Sequence, residues 1–199
     1  MSSVLSSYFK TVILASASPA RLKILERESL RVIVRPTDTD EILDNVNSEN
    51  IRDKLINLSL DKLNTYIDKY GESEFPIITC DTVIYFNNNI IGKAKNREEA
   101  QKTLLSFSGK KQRVYTAMCL KLPDGRLIKT CDMAELYFKN NSKEEIEKYL
   151  NTDEWIGAAG SYRIQAKGYS LIDRYFGDFD TIVGLPLLSI SDLLRATLS

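Results

Sequence analysis

Apolar and polar positions alternate along this chain with two different periods. Short runs rich in β-branched and aliphatic residues predict strands at 12–15, 31–35, 76–79, 83–86, 90–91, 113–122 and 127–138. Apolar residues spaced three and four apart predict helices at 19–28, 48–69, 97–107, 142–150 and 186–197. Helices and strands therefore alternate, while Pro123-Asp124-Gly125 is typical of a hairpin turn. This pattern predicts an α/β fold with a mixed sheet, and a looser segment at 153–180.

Length, charge and the lack of histidine limit the classes of function that this chain can have. The 199 residues are 43% hydrophobic, which allows one domain over 1–199 or two small lobes. The 27 basic and 27 acidic residues balance, which argues against a general nucleic-acid binder. The chain has no histidine, so a histidine-based triad or metal site is excluded.

Cysteine usage and hydropathy bear on location. Cys80, Cys119 and Cys131 are an odd number without CxxC spacing, which is typical of reduced, buried thiols in a cytosolic protein. Residues 1–10 lack the apolar core of a signal peptide, and no apolar run approaches membrane-spanning length. We expect neither export nor membrane insertion.

The segment 12–25 predicts a strand, a tight turn and a helix start. Ser18 is a good N-cap, and Pro19 suits the first helical position. The free N–H groups of a helix start attract phosphate, and Ser16, Ser18 and Arg21 would add hydroxyl and guanidinium donors. A capped helix without any ligand is the alternative interpretation.

Two acidic positions are candidates for chemistry. Asp81 separates two apolar strands, where a carboxylate is costly to bury unless it is paired or bound to metal; otherwise it is a turn residue that bonds its own backbone. Glu41 lies in the acidic stretch 38–41, which reads either as a solvated loop or as a source of Mg²⁺ ligands. Metal binding is poorly specified by lone carboxylates.

Several segments together resemble the Maf family of nucleoside triphosphate pyrophosphatases. In family order they are Ser-x-Ser-Pro-x-Arg-x-x-x-Leu at 16–25, Asp40-Glu41, Asp81-Thr82-Val83, Gly92-Lys93, Ala159-Gly160-Ser161-Tyr162-Arg163-Ile164-Gln165 and Val183-Gly184-Leu185-Pro186. The match runs over about 12–194. The resemblance implies an elongated mixed sheet flanked by helices, in two lobes with a central nucleotide-binding cleft, similar to inosine-triphosphate-type pyrophosphatases.

The resemblance also implies catalytic roles. Asp81 matches the family's proton acceptor, and Glu41 matches an acidic position that we assign to metal or to orienting water. With Asp81, Glu41 would hold a divalent cation such as Mg, Mn or Co. Lys62 and Lys93, surface lysines by default, match family lysines that face the cleft; with Arg21 they would hold triphosphate charge.

Base selection is implied by three positions. Thr82 and Gln165 match the subgroup that acts on dTTP and UTP, and an amide can bond the imide of uracil or thymine. Ala20 departs from that subgroup because it replaces a usual arginine. Further departures are Gln112 where many members carry His, Ala94 where Pro is usual, and Ala166 where Gly is usual.

The sequence thus predicts a cytoplasmic, metal-dependent pyrophosphatase that removes dTTP, UTP or modified pyrimidine nucleotides by cleaving the α–β phosphate bond. The alternatives are a 7-methyl-GTP or purine (ITP/XTP-type) pyrophosphatase, and a nucleotide-binding regulator of cell division. The expected partner is the nucleotide, with neither nucleic acid nor membrane; a homodimer is one option for assembly.

Overall fold

The computed structural model describes residues 4–37 and 46–198. Its α-helices are α1 Val4–Tyr8, α2 Pro19–Arg27, α3 Ile51–Tyr70, α4 Arg97–Phe107, α5 Lys143–Leu150, α6 Phe179–Val183 and α7 Leu187–Leu198. Its strands are β1 Thr11–Leu14, β2 Arg31–Val34, β3 Ile77–Phe86, β4 Asn89–Ile91, β5 Lys111–Lys121, β6 Leu127–Phe138 and β7 Ile172–Phe176. A 3₁₀ helix, Lys167–Leu171, precedes β7.

The strands form one mixed sheet of seven, in the order β2-β1-β3-β5-β6-β7, with β4 paired to β3. Strand β1 runs parallel to both β2 and β3. Strands β4 and β7 run antiparallel to β3 and β6, respectively. The predicted α/β fold with a mixed sheet is confirmed.

The observed elements differ from the predicted ones in three places. Asp81 does not separate two strands, because β3 runs without interruption from Ile77 to Phe86. The segment predicted to be loose contains the 3₁₀ helix, β7 and α6. Strand β7 lies at the sheet edge and only its first residue, Ile172, is buried, so it lacks the alternation that marks a strand in sequence. Helix α1 was not predicted.

The chain forms two compact units. Unit 1 comprises Met1–Thr82, Thr116–Asp132 and Gly184–Ser199; unit 2 comprises Val83–Tyr115 and Met133–Val183. In unit 1, Ile13 and Ile77 of the sheet pack with Leu63 and Tyr66 of α3. In unit 2, a larger core gathers aromatic side chains around Phe107, whose ring contacts those of Phe86, Phe138 and Tyr162. The prediction of one domain over 1–199 stays a prediction.

None of the helices within the described ranges is both long and apolar enough to cross a membrane.

Candidate functional site

The turn between β1 and α2 is built as its sequence predicts. Ser18 has an extended backbone and caps α2, its hydroxyl accepting a hydrogen bond from the Arg21 N–H at 3.4 Å. Pro19 occupies the first helical position, where its missing N–H costs nothing. The Ser16 hydroxyl accepts from the Ser18 N–H at 3.3 Å. The capped strand–turn–helix is therefore confirmed, while a phosphate site at it stays a prediction.

The Arg21 guanidinium is engaged by groups of its own unit. Its Nη1 donates to Ser16 Oγ at 3.0 Å, its Nη2 to Thr82 Oγ1 at 3.0 Å, and its Nε to the Gly184 carbonyl at 2.8 Å. These bonds use three of the five N–H donors that a guanidinium carries. Arg21, in the first turn of α2, thus links the β1–α2 turn to β3 and to the segment before α7.

Asp81 lies in the interior of β3 and is only 6% exposed. Its Oδ1 accepts a hydrogen bond from the Thr82 N–H at 2.8 Å and lies 3.4 Å from Lys62 Nζ. Lys62 is itself only 8% exposed, which is rare for a lysine unless it is paired. The structure therefore brings together Lys62 and Asp81, two of the predicted catalytic residues, as a buried ion pair.

A second pair of polar residues sets the alignment of α3 on β3. Thr79 Oγ1 donates to the Ser59 carbonyl at 2.7 Å, and Ser59 Oγ donates to the Thr79 carbonyl at 3.0 Å. Ser59 precedes Lys62 by about one helical turn, and Thr79 shares a strand face with Asp81. The Ser59–Thr79 contact thus places Lys62 beside Asp81. Sequence analysis missed this pair, whose only signal is two small hydroxyl residues at otherwise apolar positions.

The cysteines are free thiols, and their environment makes them poor nucleophiles. Burial raises the pKa of Cys80 to about 12, although the Arg21 charge opposes the rise. Burial also raises the pKa of Cys131, to about 11, and that of Cys119. Cys80 is adjacent to Asp81 in sequence, yet as a protonated thiol it cannot serve as the reacting group.

Lys93 and Gln165 lie in unit 2, where Gln165 is the last residue of the Ala159–Gln165 motif. Lys93 forms an antiparallel bridge with Ala159, and the Gly160 N–H donates to the Gly92 carbonyl at 2.9 Å. Gly160 has φ +65, a backbone conformation that favours glycine, and a Cβ there would lie 2.4 Å from Ile84 Cδ1. The Lys93 and Gln165 side chains are both exposed.

Gln112, where the family usually has His, is 1% exposed in unit 2. Its Nε2 donates to the Tyr162 hydroxyl, and burial raises the pKa of that tyrosine. The Gln112 amide is therefore hydrogen-bonded to a tyrosine of the Ala159–Gln165 motif. Ala166, where glycine is usual, has φ −134, which lies outside the left-handed region that favours glycine. Alanine is therefore accommodated at position 166 without a positive φ.

The predicted site residues are distributed over both units. Ser16, Ser18, Ala20, Arg21, Lys62, Asp81 and Thr82 all belong to unit 1, whereas Lys93 and Gln165 belong to unit 2. Glu41, predicted as a metal ligand, lies outside the described residues. Within residues 4–37 and 46–198 no group of three or more His, Cys, Asp or Glu side chains is arranged to hold a metal ion.

Comparison with known proteins agrees with the motifs. The family model described as "Maf-like protein" matches residues 11–197. A "dTTP/UTP pyrophosphatase" of Pyrococcus furiosus is 35% identical over 186 residues, covering 94% of this chain and 95% of the relative. One of the same name from Caldicellulosiruptor bescii is 33% identical over 189 residues, covering 94% of each chain.

A solved structure supports the fold alone. A HAM1 protein from Coxiella burnetii aligns with a TM-score of 0.53 at 12% sequence identity, covering 94% of this chain and 98% of that one.

Proposed function

This chain belongs to the Maf-like protein family, and from that premise we propose that it is a nucleoside triphosphate pyrophosphatase acting on dTTP, UTP or modified pyrimidine nucleotides. It hydrolyses the bond between the α and β phosphates, giving the nucleoside monophosphate and pyrophosphate. The observation that carries the proposal is the buried Lys62–Asp81 pair, directly followed by Thr82. Relatives named as dTTP/UTP pyrophosphatases support the substrate class.

Asp81 is the proposed proton acceptor. A water molecule attacks the α-phosphorus, its proton passes to the Asp81 carboxylate, and the bond to the bridging oxygen breaks with pyrophosphate as the leaving group. Lys62 at 3.4 Å and the Thr82 N–H at 2.8 Å both contact Oδ1, and so they fix the orientation of the carboxylate. A base held in one orientation before the reaction avoids the cost of reorganising it during the reaction.

Lys93 is proposed to stabilise charge on the phosphates. Negative charge accumulates on the leaving pyrophosphate, and a fixed cation directed at it lowers the barrier. Lys93 suits this role because its backbone is held by the bridge to Ala159 while its side chain remains exposed.

A divalent cation is the proposed cofactor, with Asp81 and Glu41 as its protein ligands. Carboxylate oxygens are the donors that Mg²⁺ and Mn²⁺ prefer, and Mg²⁺ commonly takes one or two carboxylates together with substrate phosphates. Such a cation would neutralise phosphate charge when bound. Removal of it with a chelator should abolish turnover.

Thr82 and Gln165 are proposed to select the base of the nucleotide.

The proposed location of the protein is the cytoplasm. We propose that the protein binds the nucleotide substrate and binds neither nucleic acid nor a membrane. A homodimer is one of the possible oligomeric states. The balance of 27 basic and 27 acidic residues supports the exclusion of nucleic acid.

Analysis of phosphate products tests the proposal directly. The purified chain would be incubated with dTTP, UTP, CTP, 7-methyl-GTP, ITP and XTP, each with Mg²⁺, Mn²⁺ or a chelator. We expect monophosphate and pyrophosphate from dTTP and UTP, and none with chelator. Release of orthophosphate alone, or preference for 7-methyl-GTP or a purine triphosphate over both pyrimidines, would contradict it.

Lys93→Ala tests the role of the exposed lysine. We expect the loss of about 2–4 kcal/mol of transition-state stabilisation, which is roughly a 30- to 900-fold fall in kcat/KM. Lys95→Ala is the matched control, because Lys95 is also exposed and lies two positions away. Equal kinetics in both variants would make Lys93 an ordinary surface lysine.

Ala20→Arg tests the missing arginine. Ala20 is partly exposed in the first turn of α2, where a guanidinium adds hydrogen-bond donors without displacing a buried group. We expect a sharper preference for dTTP and UTP over other triphosphates, measured as ratios of kcat/KM. Lys23→Arg, at an exposed position of the same helix, should leave these ratios unchanged. An unaltered profile in Ala20→Arg would disprove this view of the site.

A further inference from the structure

The Thr82 hydroxyl has two hydrogen-bond partners, both in its own unit. Arg21 Nη2 donates to Thr82 Oγ1 at 3.0 Å, and Thr116 Oγ1 on the neighbouring strand β5 lies 3.0 Å from the same atom. Thr116 is fully buried, whereas Thr82 is partly exposed. Thr82 can therefore reach a ligand, and Thr116 cannot.

Gly184 is the third residue that packs against the Arg21–Thr82 hydrogen bond. Its carbonyl accepts from Arg21 Nε at 2.8 Å. Its φ is +116, and a Cβ there would lie 3.1 Å from Thr82 Oγ1 and 3.2 Å from Arg21 Nε. This explains the glycine of the Val183–Pro186 motif, because any side chain at this position would press on both members of the Arg21–Thr82 bond.

The hydrogen-bonding capacity of Thr82 depends on the direction of its bond to Thr116. A hydroxyl has one proton and two acceptor sites, and the Arg21 N–H occupies one acceptor site. If Thr116 donates, the second acceptor site is filled and the Thr82 proton points to the ligand. If Thr82 donates to Thr116, only an acceptor site remains for the ligand. The direction of the Thr82–Thr116 hydrogen bond thus determines whether Thr82 donates a hydrogen bond to the base or accepts one from it.

We propose that Thr116 is a specificity-determining positioning residue: its hydroxyl donates to Thr82, and Thr82 therefore presents its own proton to a carbonyl oxygen of the base. Uracil and thymine carry an O4 acceptor where cytosine carries an N4 amino donor. A Thr82 hydroxyl that can only donate forms a hydrogen bond with the O4 carbonyl of uracil or thymine. It cannot form one with the N4 amino group of cytosine, because both groups are then donors. This inference rests on the proposed function, since it concerns the base of the same nucleotide.

Thr116→Val tests the inference because it keeps the side-chain shape but removes the hydroxyl. Thr82 can then turn to accept from an amino group, so we expect the ratio of kcat/KM for UTP over CTP to fall about tenfold. Thr116→Ser retains a hydroxyl and should keep most of the wild-type ratio. Thr181→Val is the matched control: it removes the hydroxyl of another fully buried threonine, which belongs to α6 in unit 2 and not to the Arg21–Thr82–Thr116 group, and it should leave the ratio unchanged.

The outcomes separate this inference from the proposed function. A wild-type chain that hydrolyses no triphosphate contradicts the proposed function itself. A wild-type chain active on UTP, with the same UTP-to-CTP ratio in Thr116→Val, overturns the role of Thr116 alone. An equal fall in the ratio for Thr181→Val would likewise overturn it, because the effect would then follow from the loss of any buried threonine hydroxyl. If Thr116→Val fails to fold, as judged by circular dichroism, Thr116→Ala removes the same hydroxyl with a smaller side chain and provides the same test.

Discussion

Asp81→Asn should lower turnover by about 100-fold or more while nucleotide binding is largely retained. The substitution keeps the shape of the side chain at a position only 6% exposed, but an amide cannot take a proton from water. The measurements are kcat on UTP and equilibrium binding of the nucleotide in the same buffer.

Asp61→Asn provides the control for that result. Asp61 is an exposed carboxylate on α3, next to Lys62 in sequence. Its substitution changes the net charge by the same amount, so a general electrostatic effect would appear in both variants. Near-normal turnover in Asp81→Asn would remove Asp81 from the mechanism.

Lys62→Met should have the largest effect on stability. It removes the cation 3.4 Å from Asp81 Oδ1 while filling a similar volume, and the carboxylate stays buried without that cation. Breaking a buried pair in this way costs about 3 kcal/mol or more of unfolding free energy. Turnover should fall as well, because the carboxylate loses one of the groups that orient it. Chemical denaturation and steady-state kinetics measure the two effects.

A double-mutant cycle tests whether the stability loss arises from the pair. Lys62→Met combined with Asp81→Asn should be more stable than Lys62→Met alone, because no buried charge then remains to be compensated. Lys102→Met is the comparison, since Lys102 pairs with Glu98 at 2.9 Å on the surface of α4. That exposed pair should contribute much less to the free energy of unfolding, because water screens the two charges. Strictly additive losses in the Lys62–Asp81 cycle would contradict the role of the pair.

Local features of the sequence predicted much of the architecture because their causes are local. The spacing of Leu55, Leu58 and Leu63 places them on one buried face of α3. Ser18 and Pro19 determined the start of α2 through backbone geometry and one side-chain hydrogen bond. Strand β7 escaped prediction because an edge strand needs the pairing of β6, which its own residues do not encode.

The sequence by itself determined the order of helices and strands, the capped turn before α2 and the set of residues with reactive chemistry. Only the tertiary structure decided which of these residues meet. Lys62 and Asp81 are 3.4 Å apart because the Ser59–Thr79 contact aligns a helix with a strand, and Arg21 reaches Thr82 and Gly184 across large separations in the chain. Contacts between distant segments depend on how whole elements pack, and no local period or spacing records that packing.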